Sequence, residues 1–331
     1  MNIPPRTFVA VPHEHLRTLA RSLGIAAGLP DDRATFLADV LVDNDLRGVF
    51  SHGSVQMATY ARLFRDGKLN PVPTLDVPRE GPGHVLVDGD GSLGYFASWD
   101  MTGRVIEKAL AGGIAIGLTR NHGHFGAAGI YARRTLPHGL LCFVTSGHQL
   151  HLQPGGVLAT AGGGSPMAFT APGKDEPAMV LDFGTMHDLY PGEPHAEAIG
   201  RLAPGMVFRA LGLAAVCQSW GGFLAGVPSH PDRARRVWEG ANQGSMVVAF
   251  RIDCFADPDE FGREMDDYIR QVRALRPLEG FDRALLPGHI EAERAVRHAE
   301  DGVPVGAEHA RRLVDAAREF GIDPGFSAPR P

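Results

Sequence analysis

The sequence predicts an α/β (α+β) protein in two parts, a helical domain built from both ends of the chain and an α/β domain between them. Apolar residues recur at helical spacing near both termini, whereas short apolar runs separated by glycine- and proline-rich loops fill the middle. At 331 residues the chain also exceeds one average domain. We place the helical domain at residues 1–75 with 257–331 and the α/β domain at residues 76–256.

The elements follow in order along the chain. Leucines and other apolar residues on one face predict helices at 13–27, 31–48 and 51–67, each closed by a glycine. The middle predicts strands at 85–87, 114–118, 140–145 and 179–181, with a helix at 97–111. Helices return at 258–275, 289–300 and 307–320, and the pair Asp257-Pro258 is a favourable start for the first of them.

Charge and composition exclude several classes of partner. The chain has 32 basic and 38 acidic residues, a net charge of −6, and no block of Lys or Arg. This balance argues against nucleic acid or an anionic membrane as a partner. The N-terminus lacks the cationic start and long apolar core of a signal peptide.

The cysteines and the most apolar stretch favour a cytoplasmic protein without a membrane helix. Three dispersed cysteines without a CxxC pair predict buried, reduced thiols and a cytoplasmic protein: Cys142, Cys217 and Cys254. Residues 206–227 are long enough for a membrane helix, but Arg209, Gln218 and four glycines interrupt them. The stretch therefore predicts a buried core helix.

One glycine run matches a dinucleotide-binding pattern. Gly89-Asp-Gly91-Ser-Leu-Gly94 fits G-x-G-x-x-G between a predicted strand and a predicted helix, and Arg120 would suit a 2′-phosphate. Against this interpretation, the same residues form a strong turn signal, and Asp88 and Asp90 would repel a pyrophosphate. A regular series of further βα units is also missing, so the single match is a weak signal.

Two histidine-bearing stretches carry the candidate chemistry. His52 follows Ser51 at the predicted start of a helix, where the positive helix end favours a neutral imidazole. His124 precedes residues 125–129, Phe-Gly-Ala-Ala-Gly, whose small side chains allow a ligand to approach closely. Each has a plain alternative, because Ser51 can simply cap a helix beside a surface histidine and His124 can pack in the core against Phe125.

A metal site is a further alternative. His122 and His124, with His148 and His151, are numerous enough for a zinc cluster, since imidazole is a good zinc ligand. No carboxylate or cysteine at metal-ligand spacing accompanies them. We therefore predict no metal.

The two stretches belong to a longer series of motifs that runs through nearly the whole chain. It opens with Asp45-Leu-Arg-Gly-Val…Ser51-His52-Gly53…Tyr60…Gly67…Asn70-Pro71. It continues with Val87-Asp88-Gly89, Arg120-Asn121…His124-Phe125-Gly126-Ala-Ala-Gly129-x-Tyr131, Pro154-Gly155-Gly156, Asp182 and Leu286-Pro287-Gly288. In this order the motifs resemble the malate/L-lactate dehydrogenase-like family, which includes ureidoglycolate dehydrogenase, diketogulonate reductase and Δ1-piperideine-2-carboxylate reductase.

The resemblance implies a non-Rossmann, mixed-sheet cofactor-type domain, a homodimer, and NADH or NADPH as cofactor for a small 2-oxo or 2-hydroxy acid, related carbonyl or cyclic imine. The G-x-G-x-x-G match then becomes a turn. His52 is the implied proton donor or acceptor, Ser51 its partner, and His124 lines the same site. Substrate contacts are expected from Gln56, Arg47, Arg120, His122 and His148. Cofactor contacts are expected from Thr145, Asp182, Gly184, Thr185, Arg209, Pro287 and Gly288.

Several positions depart from the family pattern. The family's arginine four residues after the histidine is Gln56, whose amide cannot make a charged, bidentate contact with a carboxylate. Its Asn-His before Phe-Gly is Gly123-His124, and its Thr-Asn-Pro turn is Gly-Ser-Pro at 164–166. The segment after Asp182 is shorter than in the family, and Arg209 stands where a cofactor-binding lysine is expected.

Three hypotheses follow from the matches and the departures. The first is an NAD(P)H-dependent reductase with an unusual substrate. The second is a non-redox acid/base enzyme, such as a lyase, isomerase or cyclase, that uses His52 and His124 on the same scaffold with a lost or altered cofactor site. The third is a catalytically silent dimer. The matched acid/base positions favour the first hypothesis, and the additional histidines favour altered chemistry over none.

Overall fold

The structure is a computed structural model that describes residues 4–190 and 192–329. The chain divides into two compact units, the residues up to Pro73 together with those from Gly288 onward, and Thr74–Pro287. Both ends of the chain contribute to the first unit. The second unit begins close to the predicted residue 76 but extends past the predicted end at residue 256.

The elements of the first unit are mostly helices. In chain order the two units contain β1 (Phe8–Val11), α1 (His13–Ala26), α2 (Asp31–Leu46), α3 (Met57–Arg65), β2 (Asp76–Gly81), β3 (His84–Asp88), α4 (Gly94–Gly112), β4 (Ile114–His122), α5 (Gly129–Thr135), β5 (Leu140–His148), β6 (Pro166–Ala171), β7 (Met179–Gly184), α6 (Ala196–Leu202), α7 (Pro204–Cys217), β8 (Gln243–Arg251), α8 (Pro258–Arg273), α9 (His289–Asp301), β9 (Val303–Gly306) and α10 (Ala307–Glu319). The first unit holds β1 to α3 and α9 to α10. Its strands β1 and β9 pair antiparallel, from Phe8 opposite Gly306 to Val11 opposite Val303, and so join the two ends of the chain by backbone hydrogen bonds.

The core of the first unit comes from the apolar faces of its helices. Leu16 and Leu23 of α1, Leu37 and Leu41 of α2, and Tyr60 of α3 are almost completely buried. The leucines are seven residues apart in α1 and four apart in α2, which puts each pair on one side of its helix and is the pattern that predicts these helices in the sequence.

A seven-stranded sheet forms the centre of the second unit. Its strand order is β2-β3-β4-β8-β5-β6-β7. Strands β3 and β4 are parallel, and every other neighbouring pair is antiparallel. A mixed sheet of this kind differs from the parallel, doubly wound sheet of a Rossmann domain. The predicted fold class, a mixed-sheet α/β domain with a helical part, is confirmed.

Helix α4 packs closely against strand β4. At Gly117 of β4 an added Cβ would lie 2.3 Å from the sulfur of Met101 and 2.5 Å from Val105, both on α4. A glycine at this position therefore allows the helix to approach the sheet.

Helix α8 belongs to the second unit, although the sequence groups it with the helical domain. Its start is as predicted, because the Asp257 carboxylate accepts the backbone N–H of Glu260 at 2.9 Å. Further along, the Asp266 carboxylate accepts the backbone N–H groups of three consecutive residues of the β6–β7 loop, Lys174, Asp175 and Glu176. This attachment to the sheet explains the displaced boundary.

The apolar stretch at 206–227 is not a buried core helix, and this expectation is wrong. Helix α7 continues into a π-helical turn, Gln218–Phe223, and most of its large apolar side chains are exposed. Only Ala214 and Cys217 of α7 are buried. Among the described residues no single helix has the length and apolarity of a membrane span. The bent pair Ala196–Leu202 and Pro204–Phe223 meets that test by length and composition alone.

Candidate active site

His52 lies on a short turn before α3. The chain makes one 3₁₀ turn at Phe50–His52 and a second at Ser54–Gln56, and α3 begins only at Met57. The predicted role of Ser51 as a helix cap is therefore wrong. Its Oγ lies instead 2.9 Å from Nδ1 of His52, so the two residues form the expected pair.

Two buried side chains at the C-terminal end of α2 hold the backbone of this turn. Asn44 Nδ2 donates a hydrogen bond to the carbonyl oxygen of His52 at 3.0 Å. The carboxylate of Asp45 accepts the backbone N–H of Ser54 at 2.8 Å. Burial raises the pKa of Asp45 to about 7, against the lowering effect of its hydrogen bonds with Ser54.

The predicted substrate contacts Gln56 and Arg47 have partners within the first unit. Gln56 Nε2 donates to the carbonyl oxygen of Ser51 at 2.6 Å and so closes the turn that carries His52. Arg47 Nε donates to the carboxylate of Asp43 at 2.9 Å, one helical turn earlier. Neither donor is directed to a ligand by these contacts.

In the second unit, Asp88 at the end of β3 gathers three donors. Its carboxylate accepts from Arg120 Nε and Asn121 Nδ2, both at 2.8 Å, and from the backbone N–H of Asp90 at 3.1 Å. Burial acts to raise the pKa of Asp88, but these hydrogen bonds outweigh it and the pKa is lowered. The predicted substrate contact Arg120 is thus ion-paired, while 41% of its side chain stays exposed.

The G-x-G-x-x-G run packs against the end of β4. The backbone N–H groups of Gly91 and Gly94 donate to the carbonyl oxygens of Asn121 at 2.9 Å and His124 at 3.0 Å. Gly91 has a φ of +77°, and an added Cβ there would lie 2.0 Å from the ring of Trp238. Because these amides have internal partners, the run is a turn and does not present them to a phosphate.

His122 is fully buried, which corrects its predicted contact with substrate. Its Nδ1 donates to the carbonyl oxygen of Gly123 and its Nε2 accepts from Thr119 Oγ1, both at 2.7 Å. Thr119 Oγ1 lies 2.6 Å from Ser245 Oγ, which lies 2.9 Å from Ser98 Oγ. Burial lowers the pKa of His122 to about 4, so a neutral imidazole ends this chain of hydroxyl groups, which we call the hydroxyl chain.

His124 lies two residues further along the chain and is half-buried. The next residue, Phe125, is buried and stacks on Tyr131 with ring centroids 5.3 Å apart. The hydroxyl of Tyr131 donates to the carbonyl oxygen of Phe125. The aromatic pair therefore anchors the segment on which His124 lies.

Two of the predicted cofactor contacts serve the second unit itself. Thr145 is fully buried, and its hydroxyl donates to the carbonyl oxygen of Pro166 at 2.8 Å, which corrects its expected role. The carboxylate of Asp182 accepts the N–H of Gly129, the first residue of α5, at 2.9 Å. A carboxylate at that helix end also offsets the helix dipole.

Three other predicted cofactor contacts lie nearer the surface. Gly184, at the end of β7, is exposed, and Thr185 beside it donates from its hydroxyl to Ser165 Oγ at 2.8 Å. Arg209 is exposed on α7. These residues keep polar atoms near solvent, in contrast to Thr145.

The remaining predicted cofactor contacts precede α9. Pro287 accepts the backbone N–H of Val180 at 3.0 Å, and Gly288 has a φ of +94°. The next residue, His289, is buried, and its Nε2 has no hydrogen-bond partner within the part of the chain that the structure describes. A buried polar atom in this state usually indicates a missing partner.

His148 lies at the end of β5. The side-chain amide of Gln218 makes two hydrogen bonds with the backbone of His148. Its Nε2 donates to the carbonyl oxygen of His148 at 2.6 Å, and its Oε1 accepts the N–H of His148 at 3.1 Å. Burial, and then the neighbouring His151, lower the pKa of His148. Within residues 4–190 and 192–329, no group of three or more His, Cys, Asp or Glu side chains is arranged to hold a metal.

Sequence reasoning did not single out Asn44, Ser98 or Ser245. Asn44 precedes the Asp45 motif and is completely buried, a burial that its polar character does not predict. Ser245 lies on β8, a strand that the sequence analysis did not predict, so no signal pointed to it.

The chain matches the malate/L-lactate dehydrogenase family over residues 11–187 and 192–314. It is 26% identical to malate dehydrogenase from Pyrococcus horikoshii, with 96% of this chain and 97% of that protein aligned. The solved structure of that enzyme has a TM-score of 0.79 at 25% identity and covers 97% of this chain and 98% of its own. L-sulfolactate dehydrogenase from Methanocaldococcus jannaschii is 26% identical over 89% of this chain and 93% of its own length.

Ureidoglycolate dehydrogenase (NAD(+)) from Escherichia coli is 23% identical, over 93% of this chain and 95% of its own length. The chain belongs to the malate/L-lactate dehydrogenase family, and it is an oxidoreductase of that family. The family and the enzyme class expected from the motifs are confirmed.

Proposed function

We propose that this protein is an NAD(P)H-dependent reductase, or the reverse dehydrogenase, for a small 2-oxo or 2-hydroxy acid, related carbonyl or cyclic imine. The observation that carries the proposal is the intact Ser51–His52 pair on a fixed turn, in a chain that matches the family over nearly its whole length. The relatives named above are dehydrogenases of small acids.

His52 is the proposed proton donor in reduction and acceptor in oxidation. Ser51 Oγ engages Nδ1 of the ring, so we assign proton transfer to Nε2. A nicotinamide cofactor, when bound, would supply or remove the hydride at the substrate carbon. Asn44 and Gln56 bond the backbone carbonyl oxygens of His52 and Ser51, which keeps the imidazole in place through the reaction. His124, half-buried, is the proposed second polar contact to substrate, with Arg120 and His148.

The substrate has at most one carboxylate in this proposal. Position 56 holds an amide whose donor is bound to Ser51, so no cation at this position pairs with a second carboxylate. We expect Gln56→Arg to raise kcat/KM for oxaloacetate about tenfold relative to pyruvate, since a charged hydrogen bond contributes roughly 1.5–3 kcal/mol. Gln56→Glu is the matched control, and an equal gain with that variant would contradict the charge argument.

NADH or NADPH fits the residues that remain available. The unpartnered Nε2 of His289, next to Gly288, is a buried polar atom that a bound dinucleotide would satisfy. The guanidinium of Arg209 is exposed and can hold a phosphate, and Gly184 and Thr185, elsewhere in the same unit, offer polar backbone atoms near the surface. One relative, ureidoglycolate dehydrogenase, is NAD(+)-dependent.

Titration of the purified protein with NADH and NADPH tests this function. We expect micromolar binding of at least one of them by calorimetry, and His52→Ala should abolish turnover while leaving Tm nearly unchanged. His230→Ala is the matched control, because His230 is an exposed imidazole. Absence of binding by both cofactors would reject the reductase and promote the non-redox acid/base alternative, which no observation favours at present.

We propose further that the protein is a homodimer. Helices α6 and α7 and the turn after them carry many exposed large apolar side chains: Leu202, Met206, Phe208, Leu213, Trp220, Phe223 and Leu224. Such patches on soluble proteins mark interaction surfaces, and obligate dimers bury them. Light scattering should give a dimer that Met206→Ser/Phe208→Ser converts to monomer. Leu278→Ser, another exposed apolar position, should leave the dimer intact.

A cytoplasmic location is proposed on the state of the cysteines. All three are free thiols; Cys142 and Cys217 are buried as predicted, whereas Cys254 is exposed, which corrects its predicted burial. Free thiols are stable in a reducing compartment.

A further inference from the structure

Two neighbouring side chains hold three consecutive residues of the turn that carries His52. Asn44 bonds the carbonyl oxygen of His52, and Asp45 bonds the N–H of Ser54. Gly53, between them, leaves no space for any other residue, because an added Cβ would lie 1.7 Å from a carboxylate oxygen of Asp45. Residues 52, 53 and 54 of the turn are thus each in contact with Asn44 or Asp45 at the end of α2.

The end of α2 is itself fixed. Buried His298 of α9 donates from Nδ1 to the carbonyl oxygen of Leu46 at 2.8 Å, one of the carbonyls that a helix end leaves without an internal partner. Its ring also lies against Phe50, with centroids 5.9 Å apart. The support for the turn therefore continues into the helical core of the first unit.

The choice of a carboxylate at position 45 is costly for the fold. Burial penalises the ionised form, and the hydrogen bonds with the backbone N–H and the side chain of Ser54 do not require a charge. Stability alone does not explain an aspartate at this position. A need to fix the position of the His52 turn does explain it, because misplacement of a reacting group by ~1 Å can cost about 100-fold in rate.

We propose that Asn44 and Asp45 are positioning residues that set the place of the His52 imidazole through the backbone of residues 52–54. The proposal rests on the function proposed above for His52. Neither side chain contacts substrate in this proposal, and each acts on the imidazole through one backbone hydrogen bond.

Conservative and non-conservative variants separate positioning from charge. Asp45→Asn keeps an oxygen that accepts the Ser54 N–H, so we expect kcat within about threefold of wild type, while Asp45→Ala and Asn44→Leu should each lose about 30-fold or more. KM and the calorimetric Kd for the cofactor should not change. Asp43→Asn, on the same helix but partly exposed, is the matched control.

A double-mutant cycle tests the close contact at Gly53. Gly53→Ala alone should lower kcat about 100-fold, because the methyl group must push the turn away from Asp45. In Gly53→Ala/Asp45→Ala the obstructing carboxylate is gone, so the double variant should be no slower than Asp45→Ala. Multiplicative losses would contradict a direct contact.

An NMR titration of the His52 ring needs no turnover and keeps this inference separate from the proposed function. We expect its midpoint to move by about 0.5 pH unit or more in Asn44→Leu and Asp45→Ala, and by less in Asp45→Asn. Unchanged titration together with unchanged kcat in the first two variants would overturn the positioning role. Persistent turnover in His52→Ala would instead reject the function while leaving the titration result valid.

Discussion

Thr170 is a buried residue whose side chain does not meet its needs. It lies on β6, it is 3% exposed, and its hydroxyl has no hydrogen-bond partner within the described residues. We expect Thr170→Val to stabilise the protein by about 1 kcal/mol, since the substitution removes an unpaired polar group at nearly constant volume. Chemical denaturation measures the change. Thr102→Val is the control, because Thr102 donates to Ser98 and its replacement should destabilise.

Asn121 combines a strained backbone with a useful side chain. Its φ is +53°, and its amide donates to Asp88 at 2.8 Å. Asn121→Ala should cost about 2 kcal/mol, since it loses a charge-assisted hydrogen bond and keeps the unfavourable φ, whereas Asn121→Gly should cost about 1 kcal/mol because glycine adopts that φ freely. Equal losses in urea denaturation would show that backbone strain is not part of the cost.

At the scale of single residues, the sequence predicts contacts between neighbours in the chain better than it predicts which side chains are exposed. The Ser51–His52 pair is predicted and present, because both residues are neighbours in the chain and their contact is local. His122 and Thr145 are buried instead of presented to a ligand, since burial depends on strands distant in sequence. Arg47 and Gln56 find nearby partners that compete with any ligand.

The hydroxyl chain joins three elements of the second unit. Ser98 comes from α4, Thr119 from β4 and Ser245 from β8, and all three are fully buried. Ser245→Ala should destabilise by about 1–3 kcal/mol because it leaves two buried hydroxyl groups with one partner fewer. In the double variant Ser98→Ala/Ser245→Ala the loss should be smaller than the sum of the two single losses. Additive losses would indicate independent hydroxyl groups.

At the scale of elements, local patterns predict the helices and the strands next to them. The predicted helices at 13–27, 31–48, 289–300 and 307–320 are present with nearly these bounds, because their apolar spacing is a local property. Strand β8 and strand β6 are not predicted, since their apolar and small residues do not alternate regularly and their pairing partners are far along the chain.

For the whole molecule, the motif series alone predicts the family and the mixed sheet. The displaced boundary at α8 has a different origin. An amphipathic helix requires an apolar partner but does not specify which one, and the hydrogen bonds of Asp266 with the β6–β7 loop decide it. Such long-range choices lie outside what spacing can predict.

The stability of the whole protein should depend on pH through buried histidines and a buried aspartate, whose effects on the free energy of unfolding oppose each other. His122 has its pKa lowered to about 4, and His148, His298 and His309 are also lowered, each mainly by burial. The unfolded chain binds these protons first as pH falls below about 6.5, so their contribution to stability is complete above that pH and is lost toward pH 4. Asp45, with its pKa raised to about 7, does the reverse, because the folded state keeps a proton that the unfolded state releases.

In the wild type, Asp45 makes the free energy of unfolding fall by about 1.4 kcal/mol per pH unit between pH 4 and 7, which opposes the effect of the histidines. Asp45→Asn removes this contribution. We expect the variant to lose stability more steeply than wild type on acidification. As pH rises from 4 to 8, its free energy of unfolding should increase relative to that of wild type by on the order of 4 kcal/mol. Denaturation followed by circular dichroism at several pH values measures both curves. Asp43→Asn should run parallel to wild type, and a parallel curve for Asp45→Asn would mean that Asp45 titrates alike in the folded and unfolded states.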